Sequence, residues 1–130
     1  MKKFVTLLLC MLPISLFAQV NDGIRQAMDN YDYETVVMLI ESDCQDSLLL
    51  ITKAQALKAM NRYPEAIGVL NSLILKDSTN TKVLIDLAEC YKLTGNSRRA
   101  ANCYQKAMNL QPENKFFRLQ FIRSLSLIHI

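Results

Sequence analysis

The sequence predicts an all-α fold built as a solenoid of antiparallel helix pairs. Three observations predict it. Two adjacent windows of 34 residues, 47–80 and 81–114, repeat each other's large and small apolar residues. Within each window those residues recur at three- and four-residue steps, which is the spacing of one helix face. The chain also holds only three glycines and three prolines in 130 residues, too little turn chemistry for a many-stranded β fold. With 51% apolar residues it can bury a core, and its composition is not that of a disordered chain.

The elements follow in order. Lys2 and Lys3 precede an apolar run from Phe4 to Phe17, broken only by Thr6, Pro13 and Ser15, and Ala18 supplies a small residue before Gln19. Residues 1–18 therefore read as a secretory signal peptide. The run is shorter than the roughly 20 residues of a membrane span. Membrane contact is then only transient, through this signal, with a retained anchor as the alternative. Leu9 before Cys10 does not fit a lipid-anchor signal, since a small residue is wanted there. The expected location is the periplasm or the cell envelope.

Residues 19–46 read as a degenerate helix pair, 22–29 and 33–40, forming an amino-terminal cap. Asn30-Tyr31-Asp32-Tyr33-Glu34 echoes Asn61-Arg62-Tyr63-Pro64-Glu65. In the two full units, Leu50 aligns with Leu84, Ala54 with Ala88, Leu57 with Tyr91, Ala66 with Ala100, Leu70 with Tyr104, Leu73 with Ala107 and Asn80 with Asn114. Asn61 and Gly95 stand where the first helix of each unit must stop, and both tolerate the left-handed backbone of a helix end. Pro64 falls in the first turn of a second helix, where its missing N–H costs little.

Residues 115–124 open a further helix with Phe116, Phe117, Phe121 and Ile122. Its apolar face needs a following helix, so the chain is expected to continue past Ser124. Residues 125–130 resemble the in-frame translation of a sequencing adapter and are set aside from the fold.

The second window reads Leu84-x2-Leu87-Ala88-x2-Tyr91, then Ala100-x3-Tyr104, then Pro112. That pattern is similar to the tetratricopeptide repeat. The first window departs from it at Lys53, where an apolar residue is expected, and at Ser78, which replaces the proline. The resemblance implies a right-handed solenoid with Ala54, Ala66, Ala88, Ala100 and Ala107 at close helix approaches. A larger side chain there would overpack. Gly68 lies within a predicted helix, against its propensity.

Charge is unevenly spread. Residues 19–46 carry one basic and seven acidic residues, and residues 47–124 carry twelve basic and five acidic. A dipolar molecule results, able to steer a charged partner, although solvated helix faces give the same counts.

Catalytic chemistry finds little support. The only histidine is His129, in the doubtful tail, so histidine-based triads and metal sites lack a member. No glycine-rich phosphate loop occurs. Asp43 and Asp46 flank a predicted loop and read as solvating it. Cys44, Cys90 and Cys103 form no C-x-x-C pair, and they read as packing thiols or, for Cys90 and Cys103, as a conceivable bridge. Lys92, Arg98, Arg99 and Lys106 make too small a basic patch for nucleic acid. The sequence thus points to no enzyme and no cofactor.

What remains is a binding surface for a protein or peptide partner. The resemblance implies that the first helix of each unit lines a concave groove, which assigns Leu48, Ile51, Thr52, Gln55, Lys58, Lys82, Ile85, Asp86, Glu89 and Lys92 to it. The mixture suits an extended peptide or a helix. The basic clamp with which some family members grip a terminal carboxylate is missing, because Ile51 and Ile85 stand in its places. The alternative is that the groove packs against a further part of the same protein. On that reading the chain is the docking or sensory front end of a larger envelope enzyme, transporter or signalling protein.

Overall fold

The computed structural model describes residues 18–40 and 44–128. Among them it contains seven helices and no strand: α1 (18–29), α2 (Tyr33–Leu39), α3 (Ser47–Ala59), α4 (Tyr63–Lys76), α5 (Thr81–Leu93), α6 (Ser97–Leu110) and α7 (Lys115–Ile128). The predicted signal region lies outside the described residues except for Ala18, which opens α1. Leu125 to Ile128 of the supposed adapter tail continue α7, and the last two residues lie outside the description.

Each helix pair turns on one left-handed residue. Tyr31, Asn61 and Gly95 have φ of 58°, 59° and 81°. At α3 the Asn61 amide donates to the Lys58 carbonyl and the Arg62 amide to the Leu57 carbonyl, both at 2.9 Å. The same two bonds close α5 through Gly95 and Asn96, and close α1 through Tyr31 and Asp32. Two carbonyls at the end of each helix are thereby satisfied. The turn residue of the first pair is Tyr31, so the echo between Asn30 and Asn61 is out of register by one residue.

Helix starts are set by side chains. Asp46 accepts from the Leu48 amide at 2.9 Å, Asn80 from Val83 at 3.2 Å and Asn96 from Arg99 at 3.2 Å. Asp32 holds Thr35 through both its amide and its hydroxyl. These capping oxygens satisfy amides that have no partner inside the helix. Arg62 makes no such bond before α4, where Pro64 removes one of the orphan donors instead.

Consecutive helices pack in chain order from α2 to α7, the nearest-neighbour stacking of a solenoid. The main core joins Leu50, Leu57, Leu70, Leu73, Val83 and Leu87 across both full units. Ile24, Ala27, Val36, Ile40 and Ala56 seal the amino-terminal pair, and Leu84, Ala107 and Phe117 hold α7. Ala54, Ala66, Ala88, Ala100 and Ala107 are all buried. At such buried positions extra methylenes would overpack.

Two departures from the repeat pattern have local explanations. Lys53 replaces an apolar residue where the neighbouring α2 stops after 7 residues, and its ammonium reaches the Ile40 carbonyl at 3.4 Å. Ser78 lies in a turn held by Asp77, whose Oδ1 accepts from the Thr79 amide at 3.0 Å and from its hydroxyl at 2.6 Å. That turn does by hydrogen bonding what Pro112 does in the next unit by fixing φ. Gly68 is not a close-packing site, because a Cβ placed there would meet nothing within 4 Å.

Candidate partner-binding groove

α3, α5 and α7 are the first helices of successive pairs. The ten groove residues predicted from sequence lie on α3 and α5, with differing environments. Leu48 is 75% exposed, and Lys82 and Lys92 are also exposed. Thr52, Gln55, Lys58, Asp86 and Glu89 are half-buried. Ile51 and Ile85 are half-buried too, and both pack against the main core as well as reaching the surface.

The structure brings three of the ten together. Lys58 Nζ on α3 donates to Asp86 Oδ1 at 3.3 Å and to Glu89 Oε2 at 2.9 Å on α5. Burial disfavours the charge on Lys58, but the hydrogen bond to Glu89 and the fields of both carboxylates outweigh it and hold its pKa above the usual lysine value. Thr52 instead donates within its own helix, to the Leu48 carbonyl at 2.9 Å. No ion pair joins Lys82 or Lys92 to another described residue.

α7 contributes side chains that sequence reasoning left out of the groove. One repeat length after Lys82, Ile85, Asp86 and Glu89 stand Phe116, Leu119, Gln120 and Arg123. Phe116 and Leu119 are exposed, whereas Phe117 is buried beneath them. Lys92, Tyr104, Gln120, Arg123 and Ser124 wall a cavity of about 220 Å³ between α5, α6 and α7, together with Ser126 and Leu127 of the supposed adapter tail. The same 34-residue step that aligned the two full units is the signal that finds these residues.

Two of the three described thiols are buried. Cys90 and Cys103 are buried and unbridged, and burial pushes the pKa of both upward. A protonated buried thiol is a poor nucleophile. Cys44 is half-buried and also unbridged. Among the described residues no cluster of histidine, cysteine and carboxylate side chains is arranged to hold a metal ion, and no helix is long and apolar enough to cross a membrane.

Residues 57–120 match the family model described as tetratricopeptide repeat. The chain is similar to the DnaJ homolog subfamily C member 7 homolog of Dictyostelium discoideum, at 34% identity over 86 residues. That match covers 65% of this chain and 16% of the relative, so the chain spans a small part of that protein's length. Two solved structures resemble most of the chain in fold. One is the first tetratricopeptide domain of Spaghetti (RPAP3) bound to the HSP90 peptide SRMEEVD, with a TM-score of 0.69 and 15% identity over 90% of this chain and 93% of that one. The other is the Yersinia enterocolitica type III secretion chaperone SycD in complex with a peptide of the translocator YopD, with a TM-score of 0.65 and 19% identity over 88% and 91%. At these identities the likeness is one of fold.

Proposed function

We propose that this chain is an exported protein-interaction scaffold of a bacterial cell envelope, holding a peptide or helix of a partner against α3, α5 and α7. One observation carries the reading. Leu48, Phe116 and Leu119 are large, apolar and exposed on helices whose opposite sides are locked into the core. A surface of that kind is preformed, so little conformational entropy is lost when a partner docks. The RPAP3 and SycD structures hold peptides on the same fold, which supports the class of partner. Export rests on the Lys2–Lys3 start and the apolar run that follows.

Capture from a bacterial envelope extract tests the groove. The double variant Leu48→Asp with Leu119→Asp should lose the partner while its helical circular dichroism and melting temperature stay near those of the parent. Both positions are exposed, so the core is untouched. Undiminished capture would remove the groove from consideration. Export is tested separately by fractionating cells that express the tagged chain with Lys2→Glu and Lys3→Glu, which should hold it in the cytoplasm.

A second reading is favoured by a different face of α7. Ile122 stands one repeat after the buried Ala88, which joins the core shared with α6, yet Ile122 is 56% exposed. A further helix there would make this segment the docking or sensory front end of a larger envelope protein. Sequencing the reading frame that carries this segment separates the two: more repeats favour the scaffold, and a membrane span with a catalytic domain favours the front end.

A further inference from the structure

A further cleft, of about 180 Å³, opens between α4 and α6, the second helices of the two full units, with α5 at its base. Leu84, Leu87 and Cys103 line it as buried residues and Ile74 as a half-buried one, which gives it an apolar floor. Asn71 of α4 and Arg99, Asn102 and Lys106 of α6 are exposed and form its rim. Tyr91 joins floor to rim. Its ring lies under the Arg99 guanidinium, 5.7 Å from the centroid, and its hydroxyl accepts from the Asn71 amide at 3.3 Å. Tyr91 is only 8% exposed, and its own hydroxyl hydrogen has no acceptor among the described residues.

This rim is rich in donors and lacks an acid. The carboxylates of the wall helices are engaged elsewhere: Glu65 of α4 with Arg62, and Asp86 and Glu89 of α5 with Lys58. α6 carries no acidic residue. Arg99 and Lys106 form no ion pair among the described residues. Nor does the repeat demand these polar groups. One repeat earlier the places of Asn71, Arg99, Asn102 and Lys106 hold Val37, Glu65, Gly68 and Ser72, and the helices there stack all the same.

From this arrangement we propose that the cleft binds a small carboxylic acid, as its anion, with an apolar body about the size of one ring. A cavity of roughly 150 Å³ with apolar walls takes up benzene, so about 180 Å³ holds one ring and leaves its carboxylate at the rim. Arg99 and Asn102 stand three residues apart and share a face of α6, with Lys106 one turn further on. Contact with the Tyr91 ring holds the guanidinium at the cleft, where its fork meets a carboxylate bidentately. The Tyr91 hydroxyl supplies a further donor. Burial of the body distinguishes this ligand from a bare anion, and the cations distinguish it from a neutral ring. None of the ten groove residues lines the cleft, so the inference is independent of the groove reading.

Titration of the isotope-labelled full chain with benzoate, followed by amide chemical shifts, tests the site. Benzoate should saturate with a Kd of about 1 mM or tighter. The shifts should gather around Asn71, Arg99 and Asn102. Cyclohexanecarboxylate should bind comparably. Benzamide, acetate and inorganic phosphate should each bind at least about tenfold more weakly, since each lacks either the charge or the body. Arg99→Gln should weaken benzoate by about tenfold or more, and Arg99→Lys by less, because lysine keeps the charge and loses the fork. Arg98→Gln, at an exposed position off the cleft, should leave the affinity unchanged. Helical circular dichroism and melting temperature confirm that each variant folds.

Benzamide or acetate binding as tightly as benzoate would overturn the proposal, and so would benzoate binding indifferent to Arg99→Gln in a folded variant. No saturation by about 10 mM benzoate would do the same. Shifts centred on Ile51 and Ile85 would put the ligand in the groove instead and equally end the assignment. Each of these results leaves the groove reading standing.

Discussion

Gly68 and Gly95 show how differently two glycines in one fold can act. Gly68 lies inside α4 with open space where a Cβ would go. It offers no packing advantage, and a mid-helix glycine costs about 0.5–1 kcal/mol relative to alanine. Gly68→Ala should raise stability by that amount, read as a higher urea midpoint with an unchanged slope. Gly95 has room as well, but its φ of 81° is disfavoured for any residue with a Cβ. Gly95→Ala should lower stability by about 1–2 kcal/mol, the cost of the left-handed backbone. The buried alanines form a third class. Ala88 has 0% exposure between paired helices, so Ala88→Leu should overpack and cost about 1–3 kcal/mol in the same titration. A neutral result there would remove the close-approach account of the repeat.

Between elements, the ion cluster joining α3 to α5 and the apolar anchor of α7 are the contacts to probe. Lys58 has a raised pKa, so while both carboxylates are charged its ion pairs stabilise the folded chain fully below the ordinary lysine value of about 10.4. That contribution is lost as pH climbs through the raised folded value. The stability difference between the parent and Lys58→Met should therefore stay constant near neutrality and shrink in strong alkali. Urea unfolding of both proteins across that range gives the answer. A difference independent of pH would mean that Lys58 acts through packing alone. At α7, Phe117 reaches Leu84 and Ala107. Phe117→Ala should cost about 3–5 kcal/mol, with the loss appearing as early hydrogen exchange confined to α7 and the end of α6.

At the scale of the molecule, stacking and charge act together. Each pair buries its apolar side only against its neighbours, so stability is expected to spread along the array rather than reside in one pair. The acidic pair α1–α2 and the basic units after it give the array an electrical polarity along its length. Partner capture should consequently be salt-sensitive in rate more than in final geometry.

The sequence alone made the helix pairs, their period and their turns legible. Those features rest on local chemistry: apolar spacing along a helix, capping side chains, and residues such as Asn61 and Gly95 that accept a left-handed backbone. It also placed the buried alanines, because the 34-residue step repeats them. Tyr31 escaped that logic, since nothing local marks a tyrosine for positive φ, and the closing bonds of α1 put it there. The engagement of Lys58 with Asp86 and Glu89, the shared cavity wall of Lys92 and Arg123, and the open space at Gly68 emerge only once the helices are stacked. Each of these depends on the distance between helices that are neighbours in space and separated in sequence. Side-chain spacing along one helix does not encode that distance, which packing of the whole stack sets.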